Sequence, residues 1–123
     1  MLGIAGISYA QKVTLSNPQP EANKELTITY DPAGGKLANQ AEIKVNVYTF
    51  INDKQSTELL EMKKEGNVFK ASFVPADSTV LALFSFSGGG VKDENSKGYY
   101  SVFYQNGKPA PFSYFWEAMI YNG

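Results

Sequence analysis

The run Thr79-Val-Leu-Ala-Leu-Phe-Ser-Phe86 decides the fold. It lies between two breakers, Pro75-Ala-Asp-Ser78 and Gly88-Gly-Gly90, and it is apolar at both parities. An alternating strand shows one face to water; a run like this belongs to a central strand covered on both faces. Working outward, shorter runs recur about every ten residues, the spacing of all-β sandwiches and barrels. Lys12–Ser16 places Val13 and Leu15 on one face. Glu25–Tyr30 places Leu26, Ile28 and Tyr30 on one side, with Thr27 and Thr29 on the other. Glu42–Ile51 turns Ile43, Val45 and Val47 inward, with Lys44 and Asn46 facing water. Val68–Val74 aligns Phe69, Ala71 and Phe73, and Tyr99–Gln105 is the last strand. Thr57–Lys63 is weaker and reads either as a strand or as a helical turn.

Turn chemistry separates these runs. Pro18 and Pro20 withhold ladder donors, Asp31-Pro-Ala-Gly-Gly35 combines a preset φ with glycine freedom, and Glu65-Gly66-Asn67 and Asn106-Gly107 are tight-turn signals. Connections this short favour antiparallel pairing, because parallel strands need long crossovers. The expectation is a single all-β domain of seven strands over residues 11–108.

The composition excludes more chemistry than it offers. The 123 residues contain no Cys and no His, and all 11 basic residues are lysine. That removes thiolate and imidazole catalysis, Cys/His zinc sites, disulfides and the bidentate guanidinium clamp. A net charge of −1 gives no electrostatic case for nucleic acid. Carboxylate pairs are the acid–base chemistry left, but Glu58, Glu61 and Glu65 alternate with Lys63 and Lys64 in the manner of an exposed charged edge. The chain reads as a non-enzyme without a cofactor.

Both ends differ from the body. Residues 1–10 are small and apolar, with Ser8 and Ala10 placed as at a signal-peptidase site before Gln11. They read as a signal-peptide remnant, too short to span a bilayer, and the other reading is a first strand or packed tail. In residues 109–123, Phe112, Phe115, Trp116, Met119 and Ile120 form one face of an amphipathic helix after Pro109 and Pro111. Such a stripe needs a cover. It either folds back on the domain or opens a downstream one, and those five residues are the expected interface.

Two stretches carry the remaining candidates. The segment Gly88–Gly98 offers Asp93 and Asn95, with Glu94, as oxygen donors for a cation, although Lys92 and Lys97 flank them. The bland alternative is a solvated loop whose Asp and Asn cap local backbone. The glycines are followed by neither a P-loop lysine nor a helix, so they are not a phosphate cradle. The second candidate is aromatic. Tyr99 and Phe103 fall on one face of the last strand, and Tyr100 and Tyr104 on the other. One pair should therefore be wholly or partly accessible, and Tyr48, Tyr99, Tyr100 and Tyr104 are the residues that could stack on a sugar ring; the bland alternative is that these tyrosines pack under a loop or the C-terminal helix with their hydroxyls reaching water.

Ile28-Thr-Tyr-Asp-Pro-Ala-Gly-Gly-Lys-Leu37, Val45-Asn-Val-Tyr48, Val74-Pro75 before the hydrophobic strand, and Asp93-Glu-Asn-Ser-Lys-Gly-Tyr99 resemble the N-terminal β-sandwich of certain bacterial envelope proteins. In these, an exported Ig-like domain precedes a helical segment and a thioredoxin-like domain. The resemblance spans about residues 12–110 and rests on turns and strands. It implies a seven-stranded antiparallel Ig-like or fibronectin-type sandwich with a short C-terminal helix, exported to the periplasm or cell surface. It also implies an accessory role toward a downstream domain or protein partner, with any redox cysteines beyond Gly123. Similar strand and loop patterns occur in starch-binding sandwich modules, which makes carbohydrate the alternative ligand. The paired tryptophan platform of those modules has no counterpart here, since the single tryptophan is Trp116.

Overall fold

The computed structural model describes residues 12–51, 54–94 and 99–111. The signal-peptide reading of residues 1–10 and the helix expected over 112–123 lie outside them. The described residues form β1 (Val13–Leu15), β2 (Leu26–Tyr30), β3 (Lys44–Ile51), β4 (Lys54–Glu61), β5 (Lys63–Glu65), β6 (Val68–Phe73), β7 (Thr79–Gly88), β8 (Val91–Asp93), β9 (Tyr99–Val102), β10 (Tyr104–Gln105) and β11 (Lys108–Pro109), with no helix among them. All pairings are antiparallel. One sheet runs β1-β2-β6-β5, the second runs β4-β3-β7-β8 with β9 also on β7, and β10-β11 is a separate hairpin.

The two larger sheets enclose one core in a sandwich-like arrangement. The first contributes Leu26, Ile28, Tyr30, Phe69 and Phe73; the second contributes Val45, Val47, Phe84, Phe86 and Tyr99. The centre is aromatic: Tyr30 of β2 stacks on Phe86 of β7, ring centroids 4.0 Å apart and planes 9° from parallel. The run from Thr79 is the centre of its sheet, flanked by β3 on one side and by β8 and β9 on the other. All of Thr79–Phe86 except Leu83 is buried.

The described residues form eleven strands where seven were expected, because two of the expected runs split between partners and two further short stretches, β8 and β11, pair as strands. The first split run is Thr57–Lys63, which is not one strand. It breaks at Met62, whose buried side chain joins the core and whose N–H donates to Ile43 O at 3.0 Å. β4 thus ends on the second sheet and β5 begins on the first. Both are exposed edges, as the alternating charges indicated.

Tyr99–Gln105 breaks in the same way, at Phe103. The N–H of Phe103 donates to Val80 O, 2.9 Å, and its carbonyl accepts the N–H of Ala110, 2.7 Å. The chain then folds back, so that Lys108–Pro109 pairs with Tyr104–Gln105 across the Asn106-Gly107 turn. Pro109 is therefore a strand residue.

A further strand lies in Gly88–Gly98, which read as a loop. Gly89 and Gly90 adopt φ of +56° and +83°, the paired positive values of a two-residue hairpin, and Val91–Asp93 returns along β7. A side chain at Gly88 would collide with the carbonyl of Glu42, 2.6 Å from an ideal Cβ. Glycine is required there for close approach of the segment leading into β3. We expect Gly88→Ala to lower stability by about 1–3 kcal/mol, the usual cost of overpacking, measured by urea denaturation with unchanged strand content.

Candidate functional site

The second sheet turns one set of side chains toward the core and the other outward. Val45 and Val47 of β3, Ala82, Phe84 and Phe86 of β7, and Tyr99 of β9 point in. The alternate positions point out, and pairing arranges them in rows. Phe50, Leu81 and Val102 form one row; Tyr48, Leu83 and Tyr100 form the next; Asn46 and Ser85 follow, then Lys44, Ser87 and Lys92. The first two rows are apolar, the last two polar. Phe50, Val80, Leu81 and Ala110 are buried together, with Tyr48, Leu83, Tyr100 and Val102 packed around them, as a cluster distinct from the core.

This placement separates the four candidate tyrosines. Tyr48 and Tyr100 share a row on either side of Leu83, about 10 Å apart at two strand spacings, and both are half-buried. Tyr104 is half-buried on the β10–β11 hairpin, its N–H donating to Pro20 O at 2.8 Å. Tyr99 is not a surface residue. It lies in the core at 3% exposure, its ring edge-on to Phe86 with centroids 5.5 Å apart, because β9 alternates and its odd positions face inward. The interface residues Phe112, Phe115, Trp116, Met119 and Ile120 lie outside the described residues, as does Asn95.

Asp93 holds the two sheets together. Its carboxylate accepts the Tyr30 hydroxyl at 2.5 Å and the Tyr99 hydroxyl at 3.1 Å to both oxygens. Asp93 thereby works as a clamp between the sheets. Among the described residues, no three His, Cys, Asp or Glu side chains group to hold a metal. The neighbouring Glu94 is exposed and accepts a bond from Ser85 Oγ at 3.3 Å. Burial, then the bond to Asp93 and its negative charge, push the Tyr30 hydroxyl far above the ordinary tyrosine range.

An open cavity of about 400 Å³ lies beside the polar rows, lined by Glu42, Lys44, Gly88, Gly89 and Lys92 among others. Its charges are of both signs and it contains no aromatic platform. The sequence reading missed the partners of Tyr48 and Tyr100, namely Leu83, Phe50 and Val102. The signal was present in the double parity of residues 79–86; what it lacked was the register that sets Phe50 beside Leu81.

No family model, no curated protein and no solved structure matches the chain. No helix among the described residues is long and apolar enough to cross a membrane.

The clamp generates a prediction. Removing a hydroxyl bonded to a carboxylate costs about 1.5–3 kcal/mol, so Tyr30→Phe lowers stability by that amount. A raised tyrosine pKa stabilises the fold fully below the unfolded value, about pH 10, and the contribution is lost as pH rises beyond it. Urea midpoints measured from pH 8 to 11 should fall above pH 10, less steeply in Tyr30→Phe.

Proposed function

We propose that this chain is a non-catalytic Ig-like interaction domain of an exported cell-envelope protein, positioning a downstream domain or a partner. The connectivity supports the Ig-like part. The order β1-β2-β6-β5 corresponds to strands A-B-E-D, and β4-β3-β7-β8 to C′-C-F-G. In immunoglobulin domains a disulfide joins B and F; here the same two strands are joined by the Tyr30–Phe86 stack. The observation that carries the interaction role is the second apolar cluster, on the outer face of β3, β7 and β9. Antiparallel sheets usually leave such a face polar and wet; an apolar one, with Tyr48, Leu83, Tyr100 and Val102 only partly buried around Phe50 and Leu81, supports a contact role.

The position in the envelope and the thioredoxin-like neighbour rest on the resemblance over residues 12–110. The gene beyond codon 123 tests both. A Cys-x-x-Cys within a βαβ pattern supports the reading, and a continuation of unrelated character overturns the neighbour.

The shared row of Tyr48 and Tyr100 favours one other reading, a carbohydrate-binding module. Calorimetric titration against glucans and host glycans separates the two. The interaction-domain reading expects no heat with any member; binding abolished by Tyr48→Ala and Tyr100→Ala would replace it.

A further inference from the structure

We infer that the bare edge of β4 is a self-association site, where a second copy of this chain adds its own β4 antiparallel and continues the second sheet across a two-fold axis. The inference is independent of the contact role proposed for the outer face. β4 is eight residues long, and all of them except the half-buried Leu60 are exposed. The other outer strands of the two larger sheets are short: β1, β5 and β8 have three residues each and β9 has four. A three-residue edge offers a neighbour little to pair with, whereas a long edge without proline or bulge is a template for another chain. The β3–β4 register runs unbroken from Lys44–Glu61 to Ile51–Lys54. Among the described residues, no strand pairs with the far side of β4.

The free backbone groups can be assigned. The Met62 N–H donates to Ile43 O at 3.0 Å, one step beyond the Lys44–Glu61 pair. Antiparallel partners alternate between bonded and non-bonded pairs, so Leu60, Glu58, Ser56 and Lys54 bond to β3. Gln55, Thr57, Leu59 and Glu61 therefore turn their N–H and C=O groups away from it. A two-fold axis normal to the sheet keeps each face on its own side, so these outward residues meet one another in the copy. Centred on Thr57, the axis pairs Gln55 with Leu59 of the copy, Thr57 with Thr57, and Leu59 with Gln55, each pair exchanging both backbone bonds. Opposed threonines are a favourable cross-strand pair, and Leu59, 55% exposed, gains cover. Charge selects this centre. Lys54 becomes the diagonal neighbour of Glu58 in the copy, within reach of its long side chain, and the contact occurs twice. Moving the centre to Glu58 sets two carboxylates directly opposite, which is destabilising; moving it to Ser56 leaves Leu59 outside the overlap. One copy uses up the edge, so the assembly closes as a dimer, and a contact of this size makes it a weak one.

Sedimentation equilibrium of the full chain, followed to about 1 mM, should show monomer and dimer in exchange. Thr57→Pro should leave a monomer with unchanged strand circular dichroism, since the Thr57 N–H serves no bond to β3. Glu58→Lys should weaken the dimer about tenfold by reversing two charge contacts, and adding Lys54→Glu should restore it. Because the chain has no cysteine, Thr57→Cys reads the centre directly: mild oxidation should join two copies. Gln55→Cys, about 13 Å along the strand from its equivalent, should cross-link far more slowly. A monomer at every concentration, growth beyond a dimer, or cross-linking as fast at Ser72→Cys, exposed on the first sheet, as at Thr57→Cys would overturn the inference. A dimer that Thr57→Pro leaves intact and Leu83→Lys dissociates would also overturn it, and would put the second copy on the outer face instead.

Discussion

The sandwich depends on one contact between its sheets, the stack of Tyr30 on Phe86 with the Tyr30 hydroxyl bonded to Asp93. A chain without cysteine cannot join its sheets covalently, and a domain of this size must obtain that cohesion from packing. The stack supplies apolar area at the centre, and the hydroxyl reaches through it to a carboxylate on β8. Tyr99 bonds the same carboxylate from β9. One acidic side chain thus fixes β2, β8 and β9 together, so the apolar pair also sets the lateral position of the edge strands.

That arrangement explains why Gly88–Gly90 matters. The tight turn through Gly89 and Gly90 brings Asp93 back opposite Phe86, within reach of Tyr30. The absence of a Cβ at Gly88 lets the segment before β3 pass over the hairpin. The three glycines therefore serve the core, through backbone approach and positive φ.

The outer face answers to a different constraint. A central strand apolar at both parities must be covered twice. The first sheet covers Phe84 and Phe86; the second cluster marks the other covering at Leu81. The proposed interaction role rests on this second cluster, and the polar rows around Lys44 and Lys92 limit its extent.

Periodicity and composition were sufficient for β1, β2, β3, β6 and β7, their inward residues, the central place of residues 79–86 and the Asn106-Gly107 turn, because each depends on near neighbours in the chain. They also removed thiol, imidazole and guanidinium chemistry, since no folding restores an absent side chain. The transfers at Met62 and Phe103, the clamp at Asp93, the burial of Tyr99 and the pairing of Tyr48 with Tyr100 across Leu83 were not legible. Each depends on which strand lies alongside and in what register, and register comes from the packing of the whole sheet. A tyrosine on an alternating strand is a platform or a core residue according to which face meets the other sheet. Tertiary structure made that choice, with Tyr99 inside and Tyr100 outside.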